Sequence, residues 1–263
     1  MKHDKHLLQQ RFARRLESYA SLATVQRSIA DRLAEMLVGG GWLTAAPRRG
    51  VEIGAGTGFL TRHLVEHFPD TEWTLNDLVA KSQDYLPKAT SHGLAVRFEA
   101  GDGEAFPFIE SHYGLIASAS TLQWFDDLPA FITRAARGLE PHGLLAISTF
   151  GPDNFHEITA TTGYGLEYPT VVSLLEGCQA AKLTVRATQE WHERQLYPSP
   201  LEVLRHLRLT GVNAVAAERW THSRLRTFEQ EYNTLFHNTS ATNPTESGVT
   251  LTFHPIILIA QKS

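Results

Sequence analysis

Between residues 22 and 36 the apolar positions recur at helical intervals. Leu22, Val25, Ile29, Leu33 and Met36 stand in "SLATVQRSIADRLAEMLV" with polar residues between them, which predicts an amphipathic helix that "GGGW" ends. Beyond it, short β-rich runs alternate with helical ones. "RGVEIG" is followed by "FLTRHLVEHF", "TEWTLND", "AKSQDYLPKAT", "LAVRFEAGD", "YGLIASAS", "DLPAFITRAARGL" and the apolar "LLAISTF". Such alternation predicts parallel strands joined by right-handed crossovers, an α/β sheet with helices on both faces. Ligands of such sheets sit beyond the carboxyl ends of the strands.

After Phe150 the pattern becomes polar and rich in Gly and Pro. It then yields a helix in "TVVSLLEGCQAAKL" and one strand in "TVRATQEWHERQLY". Two helical stretches follow, "SPLEVLRHLRLTGVNAV" and "SRLRTFEQEYNTLF", then a surface loop in "SATNPTESG" and a final strand, "GVTLTFHPIILIAQ", expected to close the sheet edge. The expected organisation is one domain over residues 1–263. It comprises an N-terminal helical lid (1–40), a core (49–150) and a helical insertion (198–247) between two terminal strands.

The chemistry concentrates at "RGVEIGAGTGFLTRHL", residues 49–64. Gly54, Gly56 and Gly58 follow directly on a strand, with Ala55 between the first two, and a helix begins at Phe59. Glycines there let the backbone turn sharply and approach a ligand, while the helix start offers free N–H groups. The dinucleotide fingerprint GxGxxG needs its third glycine one residue later than Gly58. Glu52, two residues before the first glycine, would repel a pyrophosphate and attract an ammonium. Asp77 ends the next strand, followed by Leu78, where a carboxylate can accept ribose hydroxyls. Asp102 follows the third strand, beside Gly103 and Glu104, where it can accept from an exocyclic amine. Each acid also has a bland reading: Glu52 as a strand-edge charge, Asp77 as a helix cap, Asp102 as a turn former. Three of them at successive strand ends beside the glycines favour the ligand reading.

Composition adds exclusions. Of 263 residues, 42% are hydrophobic and 20% charged, a globular balance that excludes a disordered chain. A formal net charge of −4 argues against bulk nucleic acid as the main partner. The single cysteine, Cys178, excludes an internal disulfide and any CxxC metal site, and reads as a small buried apolar residue. No apolar run approaches the roughly 20 residues of a membrane span, and the charged N-terminus lacks a secretory apolar core, so no membrane is expected and the cytoplasm is the expected compartment.

"VEIGAGTGFLTRHL", "LND", "GDGEAFPF" and "LEPHGLLAISTF" resemble the ordered motifs of class I S-adenosylmethionine-dependent methyltransferases. The resemblance implies a Rossmann-like fold, a mostly parallel seven-stranded sheet with an antiparallel last strand. Its cofactor is S-adenosyl-L-methionine, which carries a sulfonium and an ammonium and no phosphate. It also implies that Glu52 and the glycine loop hold the methionine part, Asp77 the ribose, and Asp102 with Gly103 or Glu104 the adenine. The chain departs from the family at Gly114, where the fourth strand usually opens with aspartate.

Four further stretches narrow the likeness: "RFARRLESYASLATVQRSIADRL", "ASTLQWFDDLPAFI", "STFGPDNFHEI" and "LEVLRHLRLTGVNA" resemble the malonyl-acyl-carrier-protein O-methyltransferases of biotin synthesis. The element with Gln123 and Trp124 is shared with other carboxyl methyltransferases, such as those acting on aconitate. The implied partner is malonyl-acyl carrier protein or malonyl-coenzyme A, with a monomeric enzyme. The implied product is a methyl ester that masks the charge while the chain is elongated toward pimelate. A carboxylate is ionised at neutral pH, so no general base and no catalytic metal is expected, and none of the usual metal or nucleophile motifs is present. Most of the 13 histidines read as surface or helix-end residues.

Candidates for the malonyl carboxylate are Arg205 and Arg208, or Arg11 and Arg15 in the lid, all also readable as solvated helix faces. Tyr19 and Gln26 are cofactor or acceptor contacts or simple packing residues. Asn154 and His156 are mouth residues or loop caps. Arg205, Arg208, Arg219, Arg224 and Arg226 form a weak basic patch for an acidic carrier, diluted by Glu202, Glu218, Glu229 and Glu231. Competing readings are a small-metabolite methyltransferase, a nicotinamide dinucleotide reductase and a cofactor-binding scaffold without catalysis.

Overall fold

The computed structural model describes residues 4–211, 220–238 and 247–263, so Arg219, Glu218 and most of the "SATNPTESG" loop lie outside the described residues. Helices α1 (Lys5–Ala13), α2 (Leu16–Leu22) and α3 (Thr24–Gly39) precede β1 (Arg49–Ile53), α4 (Phe59–His67), β2 (Glu72–Asp77), β3 (Arg97–Ala100) and β4 (Tyr113–Ser118). Then come α5 (Leu128–Gly138), β5 (Leu139–Phe150), α6 (His156–Thr162), α7 (Val171–Ala180) and β6 (Leu183–Glu190). The chain continues through β7 (Glu193–Tyr197), α8 (Pro200–Leu209), α9 (His222–Phe236), β8 (His237–Asn238), β9 (Gly248–Phe253) and β10 (Pro255–Lys262). "AKSQDYLPKAT" makes only a 3-10 helix, Ala80–Tyr85.

The main sheet has seven strands in the order β3-β2-β1-β4-β5-β10-β6. Its first five strands pair in parallel, and β10 runs antiparallel to both β5 and β6. Successive residues face opposite ways along a strand. Leu115, Leu144 and Ile257 therefore join the core under α3 and α4, while their neighbours Ile116, Leu145 and Leu258 join the core under α5 and α7. At Gly114 a Cβ would lie 2.8 Å from the Pro47 Cβ, so the aspartate of the family pattern has no room.

Three expectations are corrected. The last strand does not close the edge: Pro255 to Gln261 are all buried, as an interior strand requires, and β6, with alternating burial, takes the edge. The two long runs read as single strands are each broken. "TVRATQEWHERQLY" divides into β6 and β7, and "GVTLTFHPIILIAQ" into β9 and β10. Finally, the second halves of these runs leave the large sheet and flank the 198–247 stretch, pairing with the two-residue β8 inside it in a separate antiparallel sheet of order β7-β9-β8. Helices α8 and α9 pack on that sheet around Val203, Leu207, Phe228, Tyr232, Leu251 and Phe253, and Val25 and Ile29 of α3 complete this third core. One side of α3 thus bridges to the small sheet while its Leu33 and Leu37 face the large one.

Candidate active site

The crevice opens where β1, β2 and β4 end, roofed by α1, α2 and α3. The glycine loop takes its shape from left-handed backbone at Gly54, Gly56 and Gly58, with φ of +73°, +55° and +81°. A Cβ at Gly54 would also lie 2.1 Å from Thr121 Oγ1, so both conformation and space demand glycine there. The N–H groups of Gly54 and Ala55 donate to the Asn76 carbonyl at 2.8 and 2.9 Å, which ties the loop to the end of β2. Gly56 N donates to Asp77 Oδ2 at 2.8 Å.

The three carboxylates stand as the sequence places them. Glu52 is buried at the end of β1 and accepts from Thr61 Oγ1, in the first turn of α4, at 2.6 Å. Burial pushes its pKa up to about 8; the Thr61 bond opposes the rise and the charge of Asp77 adds to it. Asp77 Oδ1 accepts from Val79 N at 2.8 Å and Ser82 Oγ at 3.1 Å. Burial raises its pKa despite these bonds and that of Gly56. Asp102 Oδ1 accepts from Glu104 N at 3.0 Å.

Beside Asp77, Asn76 donates through Nδ2 to the carbonyls of Glu99 and Gly101, while its buried Oδ1 has no partner. Sequence reasoning passed over Asn76, although it sits in the same "LND" run. Around the glycine loop and the strand ends the lining thus offers acceptors: three carboxyls and the orphaned amide oxygens of Asn76 and Gln26, with Lys5 at the roof as the one cation of the lining among the described residues. A ligand that fits must supply hydrogen-bond donors and positive charge, as an ammonium, a ribose and an exocyclic amine do. A pyrophosphate, which supplies only acceptors, matches this lining poorly, which speaks against the dinucleotide reading.

The roof is latched by α1. Lys5 Nζ donates to Glu104 Oε2 and to the Trp124 carbonyl, both at 2.8 Å, and lies 3.5 Å from Asp102 Oδ1. Gln9 Nε2 donates to the Leu78 carbonyl at 2.8 Å. Although partial burial opposes it, the Lys5 ammonium and the backbone N–H groups of Asp126 and Asp127 hold the Glu104 carboxyl below its usual range.

A family profile described as "Methyltransferase domain" matches residues 51–143. A malonyl-[acyl-carrier protein] O-methyltransferase of Chlorobium luteolum is 35% identical, with 98% of this chain and 96% of the relative covered. One from Porphyromonas gingivalis is 36% identical over the same shares. The chain belongs to the malonyl-[acyl-carrier protein] O-methyltransferase family. Among solved structures, a putative methyltransferase from Bacillus halodurans superimposes with a TM-score of 0.60 at 13% identity, covering 88% of this chain and 98% of that one. That likeness carries the fold alone.

With the family established, the placement of each candidate follows. Glu52, Gly54, Ala55, Gly56, Asp77, Leu78, Asp102, Gly103, Tyr19 and Gln26 all line the crevice. Gly58 does not; it caps α4 from below. Trp124 lines the crevice and also a second, smaller pocket that Gln123 and Asn154 enter. Phe12, Tyr19, Gln26 and Ser120 are likewise shared, while Phe150, Phe155, Leu166 and Tyr168 belong to the smaller pocket alone. Gln26, Ser120 and Gln123 each keep a buried side-chain oxygen without a partner, and Asn154 Nδ2 donates to Tyr168 Oη at 2.9 Å. Ser120 and Phe155 hold left-handed backbone, with φ of +53° and +56°.

The arginine expectation is not met. None of Arg11, Arg15, Arg205 and Arg208 lines either pocket. Val203 and Leu207 take the buried face of α8, which turns Arg205 and Arg208 to solvent. Arg205 is 67% exposed and sits 3.4 Å from Glu202. His156 is also outside both pockets, donating from Nδ1 to the Asp153 carbonyl at 3.2 Å.

Proposed function

We propose that this chain methylates the free carboxylate of malonyl-acyl carrier protein, with S-adenosyl-L-methionine as donor, in the pimelate stage of biotin synthesis. The observation that carries the reading is the pair of adjoining pockets. One is lined by acceptors suited to a cationic donor molecule, and the other is small, aromatic and uncharged, with five residues common to both. The names of the full-length relatives support this acceptor.

When bound, the cofactor supplies an electrophilic methyl group on a sulfonium. The residues that would hold it are Glu52 for the ammonium, Asp77 for the ribose hydroxyls and Asp102 with Gly103 for the adenine edge. Phe12, Tyr19 and Trp124 line both pockets, where their rings would keep water from the line of transfer. No group takes a proton, because the attacking carboxylate is already ionised. The Tyr19 and Tyr168 phenols stay protonated, since burial raises both, with the Asp77 charge adding to the shift at Tyr19. They and the amides of Gln123 and Asn154 are neutral hydrogen-bonding groups. A carboxylate held by neutral groups keeps its nucleophilicity, which a buried guanidinium would reduce. The domain boundaries follow: α1–α3 form the lid, residues 49–150 hold the donor, and the insertion faces the carrier.

The test offers malonyl-acyl carrier protein, malonyl-coenzyme A and aconitate side by side with the donor, read by mass spectrometry. The expected result is a gain of one methyl on the carrier-bound malonyl group. Methylation of aconitate alone overturns the acceptor and leaves the donor site standing.

A further inference from the structure

Where the broken strand runs pass from the large sheet to the small one, three side chains remote in sequence converge. Asp153 Oδ2 lies 2.8 Å from His192 Nε2 and 3.8 Å from His254 Nδ1. The three potential ligand atoms all lie within 4.8 Å of one another. We propose that Asp153, His192 and His254 bind a divalent first-row transition-metal ion of the zinc type, which fastens the turn after β5 to both strand breaks.

Two independent features support ligation. The first is the setting of His254. Its ring is buried, and it fits because residue 151 is glycine; a Cβ there would lie 2.6 Å from the ring. Its Nδ1 accepts from Asp153 N at 3.2 Å, so this nitrogen carries the lone pair, and its Nε2 lies 3.3 Å from Glu190 Oε2. A carboxylate behind the far nitrogen is the arrangement that fixes the tautomer of a metal-bound histidine. The second is the His192 ring, which lies 4.2 Å from that of His254 and reaches the same carboxylate; because imidazole lone pairs lie in the ring plane, ligation by both requires the half-exposed His192 to turn out of this stack.

Bonds of about 2.0–2.1 Å in a tetrahedral site place donor atoms roughly 3.3 Å apart. The distances of 2.8 and 3.8 Å to Asp153 bracket that spacing, and the adjustment that ligation needs falls on the exposed side chains of His192 and Asp153. Two imidazoles and one carboxylate select zinc, cobalt, nickel or copper over magnesium or calcium. An ion here would compete with the Asp153 N–H for the His254 lone pair. It would stand one residue from Asn154, whose Oδ1 accepts from His254 N at 3.3 Å and which enters the smaller pocket.

The experiment titrates the full metal-free chain with Co2+, followed by visible absorption, and with Zn2+ by calorimetry. His192 and Asp153 are about half exposed or more, with side-chain exposures of 49% and 60%, so His192→Ala and Asp153→Asn can be tested as folded proteins. One bound ion is expected, with affinity lowered about tenfold or more in each variant, and a rise in Tm with Zn2+ that the variants lack. His63 and His67 also lie near each other on α4, beside Asp31, so His63→Ala is the control and should leave the binding intact. Failure to bind Co2+ and Zn2+ overturns the proposal. So does binding that survives both variants or disappears with His63→Ala.

Discussion

Thr61 Oγ1 donates a 2.6 Å hydrogen bond to Glu52 Oε2, joining the first turn of α4 to the end of β1 behind the glycine loop. The acid is buried, with its pKa pushed up to about 8 by desolvation, so without the donor molecule it is largely protonated at neutral pH. A bound ammonium favours the ionised form. Donor binding should therefore release a proton below pH 8, and affinity should rise with pH by up to about tenfold per unit until it levels near pH 8. Calorimetry of S-adenosylhomocysteine binding in buffers of different ionisation enthalpy measures both effects.

The same group sets the stability of the free protein. Its folded pKa lies above the unfolded value of 4.5, so its contribution is fully present below 4.5 and is lost as pH rises through about 8. Glu52→Gln should flatten the fall in Tm over that window and raise the Tm of the free protein at pH 8, while donor binding is lost. A Tm at pH 8 lower than that of the parent would contradict the assignment.

Gly54→Ala should abolish donor binding. The new methyl meets Thr121 Oγ1 and Cγ2 at 2.1 and 2.4 Å, on backbone that alanine rarely adopts. Adding Thr121→Ser removes only the Cγ2 conflict, so the double variant should bind no better, since the hydroxyl and the left-handed φ remain. Recovery of binding in that double variant would show that the methyl of Thr121, and not the backbone, is what glycine avoids.

The crevice at the strand ends was legible because its signals are local. Three glycines, Glu52, Asp77 and Asp102 sit at the ends of consecutive strands, and the α/β alternation fixes where those ends meet. The division of the last strand was not read, although Pro255 marks it: proline suits the first residue of a strand and not the middle of one. The break at Trp191 and His192 carries no such mark. The smaller pocket was only partly visible, since Phe12, Gln123, Asn154 and Tyr168 come from four segments that meet only in the fold. For Arg205 and Arg208 the sequence left a carboxylate anchor and a solvated face both open, because helical spacing shows that a face exists without showing which way it turns. Val203 and Leu207 decide that on α8.

Lys5 closes the donor crevice from α1 through Glu104, Asp102 and the Trp124 carbonyl. Lys5→Ala should speed dissociation of S-adenosylhomocysteine several-fold, because charge-assisted bonds at the roof are lost while the three carboxylates stay in place. Stopped-flow displacement measures the rate, and a dissociation rate unchanged from the parent would remove α1 from the path of release.

Arg205 and Arg208 remain able to serve the acceptor in another way. Both face solvent on α8, and α8 packs against α2, part of the roof over the donor crevice. An acidic carrier that docks beside the roof would meet them, whereas a malonyl group inside the smaller pocket would not. Charge reversal at Arg205 should therefore lower kcat/KM for malonyl-acyl carrier protein several-fold, chiefly through KM, and lose that effect at high salt. The same variant should treat malonyl-coenzyme A as the parent does. An equal loss on both substrates would mean that Arg205 reaches the malonyl carboxylate itself and that α8 moves inward when the acceptor binds.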